Sequence, residues 1–168
     1  MKIGVLSDTH GFLHPDAYSF FEGCDEIWHA GDIMDGSILT ELGIIAPKVR
    51  AVYGNCDDWD LRMEIPEYEV FDCESHKVAL MHIVGSPGRY QPKALEIIRE
   101  HNPTIFVAGH SHILKIMYDK RHNLLFMNPG AAGRYGIHTR LTMLRFKIEV
   151  SEVKEMEIFD IPKQAPAK

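Results

Sequence analysis

"KIGVLSDTH", Lys2 to His10, contains the pattern that decides the fold. Ile3 to Leu6 make a short apolar run, bounded by Asp8 and Gly11, the length of a buried strand. Ser7, Asp8, Thr9 and His10 then end it with polar groups. Working outward, "EIWHAGD" (26–32) and "KVRAVYGN" (48–55) repeat the pattern. Between these runs, residues 16–22 predict a short helix after Pro15, and "GSILTELG" (36–43) predicts a second, ended by Gly43. The order β-α-β-α-β implies parallel strands joined by crossover helices.

The second half is richer in strands. "YEVFDC" (68–73) and "KVALMH" (77–82) predict an antiparallel hairpin around "ESH". "PKALEIIREH" (92–101) predicts a helix with Pro92 at its start, and "TIFVAGH" (104–110) a buried strand. "ILKIMYDK", "NLLFMNPG", "TRLTMLRFKIEV" and "VKEMEIFDI" follow as strands, with turns at "KRHN" and "PGAAG". The fold class expected is α/β, with two packed mixed sheets flanked by helices. Residues 1–160 read as one domain and 161–168 as a frayed tail.

Composition bounds the function. A chain of 168 residues suits one domain with a sizeable core, and 45% hydrophobic with 25% charged content is globular. A net charge of −6 argues against a broad nucleic-acid or anionic-membrane surface. No run approaches a membrane span, and the N-terminus has too few apolar residues before Ser7 and Asp8 for a secretory signal. Three cysteines without paired spacing (Cys24, Cys56, Cys73) fit a reduced, cytoplasmic location. The apolar stretches "ILKIMY" and "LLFM" suit a homo-oligomer interface or core strands equally.

The strand ends carry the chemistry. They deliver Asp8 and His10, Asp32 after Gly31, Asn55 after Gly54, His82, and His110 with His112 after Gly109. Ligands in α/β sheets gather at the carboxyl ends of strands. There is no nucleophile elbow and no glycine-rich phosphate loop followed by lysine. Imidazole and carboxylate together suit divalent ions such as Mn, Fe, Co, Ni or Zn. Seven such donors exceed the needs of one tetrahedral ion. They suit two ions held roughly 3.5–4 Å apart, bridged by a carboxylate. The glycines before Asp32, Asn55 and His110 are expected to let the backbone turn sharply there. The competing reading of Asp8 and Asp32 is capping of the helices that follow.

In this order the motifs resemble the calcineurin-like metallophosphoesterase superfamily: Asp8-Thr9-His10, Gly31-Asp32, Gly54-Asn55, His82 and Gly109-His110-Ser111-His112. Short length and the variants "GNCD" and "NPGA" are similar to its small YfcE-like phosphodiesterase branch. The resemblance implies a four-layer α/β/β/α sandwich and two divalent transition-metal ions, manganese first, with nickel, iron, cobalt or zinc as alternatives. It implies one ion at Asp8, His10, Asp32 and His112, and the other at Asp32, Asn55, His82 and His110. Asp32 would be the bridge, and a metal-bridging hydroxide the nucleophile. The implied substrate is a small or nucleotide-like phosphodiester. A phosphomonoester is the alternative substrate, and a non-catalytic protein-binding scaffold of the same fold the alternative function.

Two positions depart from the pattern. Ile83 follows His82 where the superfamily usually has glycine. Cys56 stands where many larger members have a histidine that protonates the leaving group, and a thiol is a weak substitute. Asp57 could help, but orientation of a ligand is its better reading. His14, His29, His76, His101, His122 and His138 match no ligand position and read as surface or turn residues, with His29 also within reach of supporting the site. Arg89 and Arg134 lie on glycine-rich loops and read as solvated, although either could meet phosphate. Asn128 and Gly130 could line the site through backbone groups.

Overall fold

The computed structural model describes residues 1–163. The first sheet has the order β12-β11-β1-β2-β3. It comprises β1 (Lys2–Leu6), β2 (Glu26–His29), β3 (Lys48–Ala51), β11 (Arg140–Glu149) and β12 (Glu152–Pro162). Strands β1, β2 and β3 are parallel, and β11 and β12 add antiparallel. The second sheet has the order β4-β5-β8-β10-β9. Its strands are β4 (Tyr68–Cys73), β5 (His76–Met81), β8 (Ile105–Val107), β9 (Leu114–Asp119) and β10 (Leu124–Pro129). Here β5, β8 and β10 are parallel, and β4 and β9 are antiparallel edges. A small ribbon, β6 (Gly85–Ser86) with β7 (Arg89–Tyr90), stands apart.

Alternation along the strands builds the layers. Ile3 and Val5 of β1 meet Trp28, Leu80, Ile105, Val107 and Phe146 in a core between the two sheets. Leu6 and Ile27 face the other way and pack with Phe21, Ile38 and Leu42 around α1 (Asp16–Phe20) and α2 (Ser37–Ile45). On the opposite outer face, Ala79, Phe106 and Phe126 pack with Ala94, Ile97 and Ile98 of α4 (Pro92–His101). Those three clusters are the three interfaces of an α/β/β/α sandwich.

Several local expectations change. Gly43 does not end α2, which runs on to Ile45. A Cβ at Gly43 would meet nothing within 4 Å, so the residue faces open space and nothing there forces the helix to stop. Helix α3 (Trp59–Glu64) was not expected; the Asp58 carboxylate caps it by accepting from Leu61 N at 3.0 Å. Ile161 and Pro162, placed in the tail by sequence, pair with Leu141 and Arg140 in β12. The remainder of that tail, 164–168, lies outside the described residues. In "LLFM", Leu124, Phe126 and Met127 are buried, whereas Met117 and Tyr118 are exposed on the edge strand β9. Among the described residues, no helix is long and apolar enough to cross a membrane.

Candidate metal centre

The carboxyl ends of β1, β2 and β3 in one sheet, and of β5 and β8 in the other, converge at one rim. The loops leaving them are tied together by backbone hydrogen bonds. Asp8 N donates to Gly31 O (2.9 Å), His10 N to Asp32 O (3.0 Å), Gly109 N to His82 O (3.0 Å) and Gly133 N to Asp8 O (2.9 Å).

Backbone conformation shows where the turning is done. Asp8, His10, Asp32, His110 and His112 all have positive φ, between 46° and 66°. Non-glycine residues rarely adopt this region, and such strain concentrates at functional sites. Of the three expected turning glycines, only Gly31 has positive φ, at 96°. Gly54 and Gly109 are needed for space instead. A Cβ at Gly54 would lie 2.1 Å from Asp32 Oδ1, and one at Gly109 2.2 Å from Ser7 Oγ. Ile83 is not among the positive-φ residues, so no glycine is required after His82.

The side chains form overlapping groups. Asp8, His10 and His112 each offer a ligand atom within 4.8 Å of the others, and so do Asp8, Asp32 and His82. His10, Asp32 and Cys56 make a third such trio, which brings in a cysteine not counted among the ligands. His82 Nε2 lies 3.3 Å from Asp32 Oδ2 and 3.9 Å from Asp8 Oδ1. His112 Nε2 lies 3.1 Å from Asp8 Oδ1. Asn55 and His110 stand at the exposed rim, and His110 joins none of these trios. The His110 ring lies 5.3 Å from that of His82, and its backbone N–H donates to Asp8 Oδ2 at 3.1 Å. Asn55 lines a cavity with His82.

These residues fit a divalent ion. Asp8 Oδ1, His10 Nε2 and His82 Nε2 are buried with no hydrogen-bond partner. Orphaned buried polar atoms are costly, yet three converge here. Tautomers complete the fit. His82 Nδ1 is 2.7 Å from Ala30 O, a pure acceptor, so Nδ1 carries the proton and the Nε2 lone pair faces the carboxylates. His10 is held likewise, with Nδ1 against the Met34 sulfur at 3.3 Å.

Electrostatics follow the same geometry. Burial alone would raise the Asp32 carboxyl, but His82 and the Cys56 N–H at 2.8 Å hold it well below the usual carboxylate range. Burial works against a His82 cation, yet Asp32 and Asp8 outweigh it and raise its pKa. At His10 burial wins, and its pKa is lowered despite the same two carboxylates.

Three residues support the site: His29 and Asp57, for which the sequence offered that reading, and His138, for which it did not. His29 is fully buried, not a surface residue. Its Nδ1 accepts from Gly31 N (3.1 Å), so Nε2 donates to Thr9 Oγ1 (3.0 Å), joining the first two ligand loops. Burial lowers its pKa to about 3, keeping it neutral. His138 Nε2 lies 2.9 Å from Gly133 O and must donate to it. His138 Nδ1 is then a lone pair, and it accepts from His112 Nδ1 at 3.1 Å. That bond turns the His112 Nε2 lone pair toward Asp8. His138 is 26 residues from His112, so spacing carried no signal for it. His138→Ala is expected to weaken binding of the ion at Asp8, His10 and His112 by about 10–100-fold in a competitive chelator titration. Unchanged affinity would remove His138 from the site. Asp57 is a loop staple: its Oδ1 accepts from Ile33 N and Met34 N, and its Oδ2 from Gly54 N, each at 2.7 Å. Asp8 and Asp32 cap neither of the helices that follow them, since α1 and α2 begin after Pro15 and Gly36.

Strand-end carboxylates and imidazoles on an α/β/β/α sandwich define a metallophosphoesterase. Residues 1–151 match the model of the calcineurin-like phosphoesterase superfamily domain, and the chain belongs to that superfamily. A probable metallophosphoesterase of Methanothermobacter thermautotrophicus is 32% identical over 136 residues, covering 78% of this chain and 77% of that protein. A phosphodiesterase of Methanocaldococcus jannaschii is 26% identical over 151 residues, covering 80% of this chain and 86% of that one. Among solved structures, a Vps29 mutant from Entamoeba histolytica superposes with a TM-score of 0.76 at 19% identity, covering 96% of this chain and 99% of that one. That similarity is one of fold alone.

Proposed function

We propose that the chain is a phosphodiesterase that holds two divalent transition-metal ions, manganese first, and acts on a small or nucleotide-like phosphodiester. One ion is assigned to Asp8, His10, Asp32 and His112, the other to Asp32, Asn55, His82 and His110. The observation that carries this reading is the convergence of buried, unpartnered Asp8 Oδ1, His10 Nε2 and His82 Nε2 beside Asp32. The phosphodiesterase similar in sequence supports the diester over the monoester. When bound, two such ions polarise the phosphoryl group and acidify water.

The chain's own residues supply orientation and access. Asp32 is fixed by Cys56 N, and its Oδ2 lies 3.8 Å from His10 Nε2 and 3.3 Å from His82 Nε2. Beside His82 and Asn55 lies a cavity of about 250 Å³, with Tyr53, Met81 and Ile83 as apolar walls for an ester group. Leaving-group protonation is poorly served. Burial against the loop and the neighbouring Asp32 carboxylate push the Cys56 thiol up to about 11. Asp57 is committed to three backbone N–H groups. Substrates with acidic leaving groups should therefore react best.

The test compares an aryl phosphodiester with the matching monoester on Mn²⁺-loaded protein. The diester should turn over at least about tenfold faster, and a chelator should abolish both reactions. Faster monoester turnover would make the protein a phosphatase. Turnover of neither, with metal bound, would refute the enzymatic reading.

A further inference from the structure

A second cavity, of about 280 Å³, adjoins the loop of His110 and His112 at Ser111. The small β6–β7 ribbon supplies Ser86 and Arg89, and strand β9 supplies Lys115. Ile113 and Phe126 are its apolar lining. Asn128 ties this cavity to the site, because its side-chain N–H₂ donates to Gly109 O (2.7 Å) and to Ser111 Oγ (3.1 Å). Ser111 lies between His110 and His112.

Charge marks this cavity out. Most cations of the chain are spent. Lys48 and Arg50 pair with Glu26, Arg145 with Glu157, Arg140 with Asp160, and Lys154 with Glu149 and Glu152. Arg62 and Lys2 hold backbone carbonyls. Among the described residues, neither Arg89 nor Lys115 has an acidic partner within 4.0 Å or a side-chain hydrogen bond. No Asp or Glu lines the cavity they share. Lys120, Arg121 and Arg134 lack such partners too, but Arg89 and Lys115 share one cavity, beside the proposed phosphoester site, in a chain of net charge −6. Arginine and lysine, with the Ser86 and Ser111 hydroxyls, are the donors that a phosphate or carboxylate requires.

We propose that this cavity is an anion subsite, and that the substrate is a phosphodiester carrying a second anionic group. The idea deepens the phosphodiesterase reading and rests on it for the placement of the scissile group. The subsite acts on binding, with Arg89 and Lys115 as specificity-determining residues and no part in bond cleavage.

The experiment is equilibrium binding to Mn²⁺-loaded protein, read by calorimetry. The probes are two dinucleotides whose bridging ester oxygen is replaced by methylene, one with and one without a 5′-terminal phosphate. The terminal phosphate should tighten binding at least about tenfold. The double variant Arg89→Gln with Lys115→Gln should cut that gain to less than about twofold and leave the affinity of the unphosphorylated probe unchanged. Equal affinities in the unaltered protein would overturn the proposal, and so would equal loss of both probes in the double variant. Aryl diester turnover, measured separately, reads the phosphodiesterase assignment. An inactive protein that still prefers the phosphorylated probe would sink that assignment and leave the subsite standing.

Discussion

Asp32→Asn is expected to lower turnover of an aryl phosphodiester by about 10³-fold or more and to leave fewer than two metal ions per chain. The reason lies in what Asp32 faces. Its Oδ1 is held by Cys56 N at 2.8 Å, and its Oδ2 lies 3.3 Å from His82 Nε2 and 3.8 Å from His10 Nε2. It is the carboxylate common to both assigned ion sites. Asparagine keeps the shape but loses the charge, and one of its two oxygens becomes a donor. Folding should survive, because the asparagine oxygen can still accept from Cys56 N. Melting without metal should fall, because the folded state favours the Asp32 charge beside His82, and the increase on adding Mn²⁺ should shrink. Metal analysis, thermal melting and turnover together check this. A variant with two ions and turnover within tenfold of the parent would refute Asp32 as the shared ligand.

Gly133→Ala should cost about 3 kcal/mol of stability and weaken metal binding, although Gly133 is not a ligand. Its added Cβ would lie 2.0 Å from Thr9 O, 2.5 Å from Thr9 C and 2.7 Å from Asp8 O. All three are backbone atoms of the first ligand loop. That loop cannot step aside cheaply. Asp8 N is bound to Gly31 O, His10 N to Asp32 O, and Asp8 O to Gly133 N itself. Relief of the clash therefore moves Asp8 and His10 away from His112. Gly43→Ala is the matched control: it is helical, and its Cβ would meet nothing within 4 Å. It should stabilise by about 0.5–1 kcal/mol. Urea unfolding of both variants decides the matter. Equal stability of Gly133→Ala and the parent would mean the loop yields more readily than its hydrogen bonds imply.

Much of the candidate site was legible because its polar residues follow closely on apolar strands. Asp8, Asp32, His82 and His110 each come within three residues of a strand's end, where a polar residue after an apolar run stands out. His138 could not be read this way. It reaches His112 from the loop before β11, and only folding brings the two rings to 4.9 Å. His29 was legible as a residue within reach of the site, but its bond to Thr9, 20 residues away in sequence, was not. Helix α3 was missed despite a usable signal, Asp58 ahead of "WDLRME".

The sequence by itself determined the parallel order of the first strands, the two mixed sheets and the donor types at the strand ends, since strand alternation and donor chemistry are local properties. Tertiary structure alone decided which loops touch, which glycines give room rather than a turn, which tautomer each histidine holds, and that Arg89 and Lys115 share a cavity. Those depend on close packing between segments remote in the chain, and distances of that kind have no period along it.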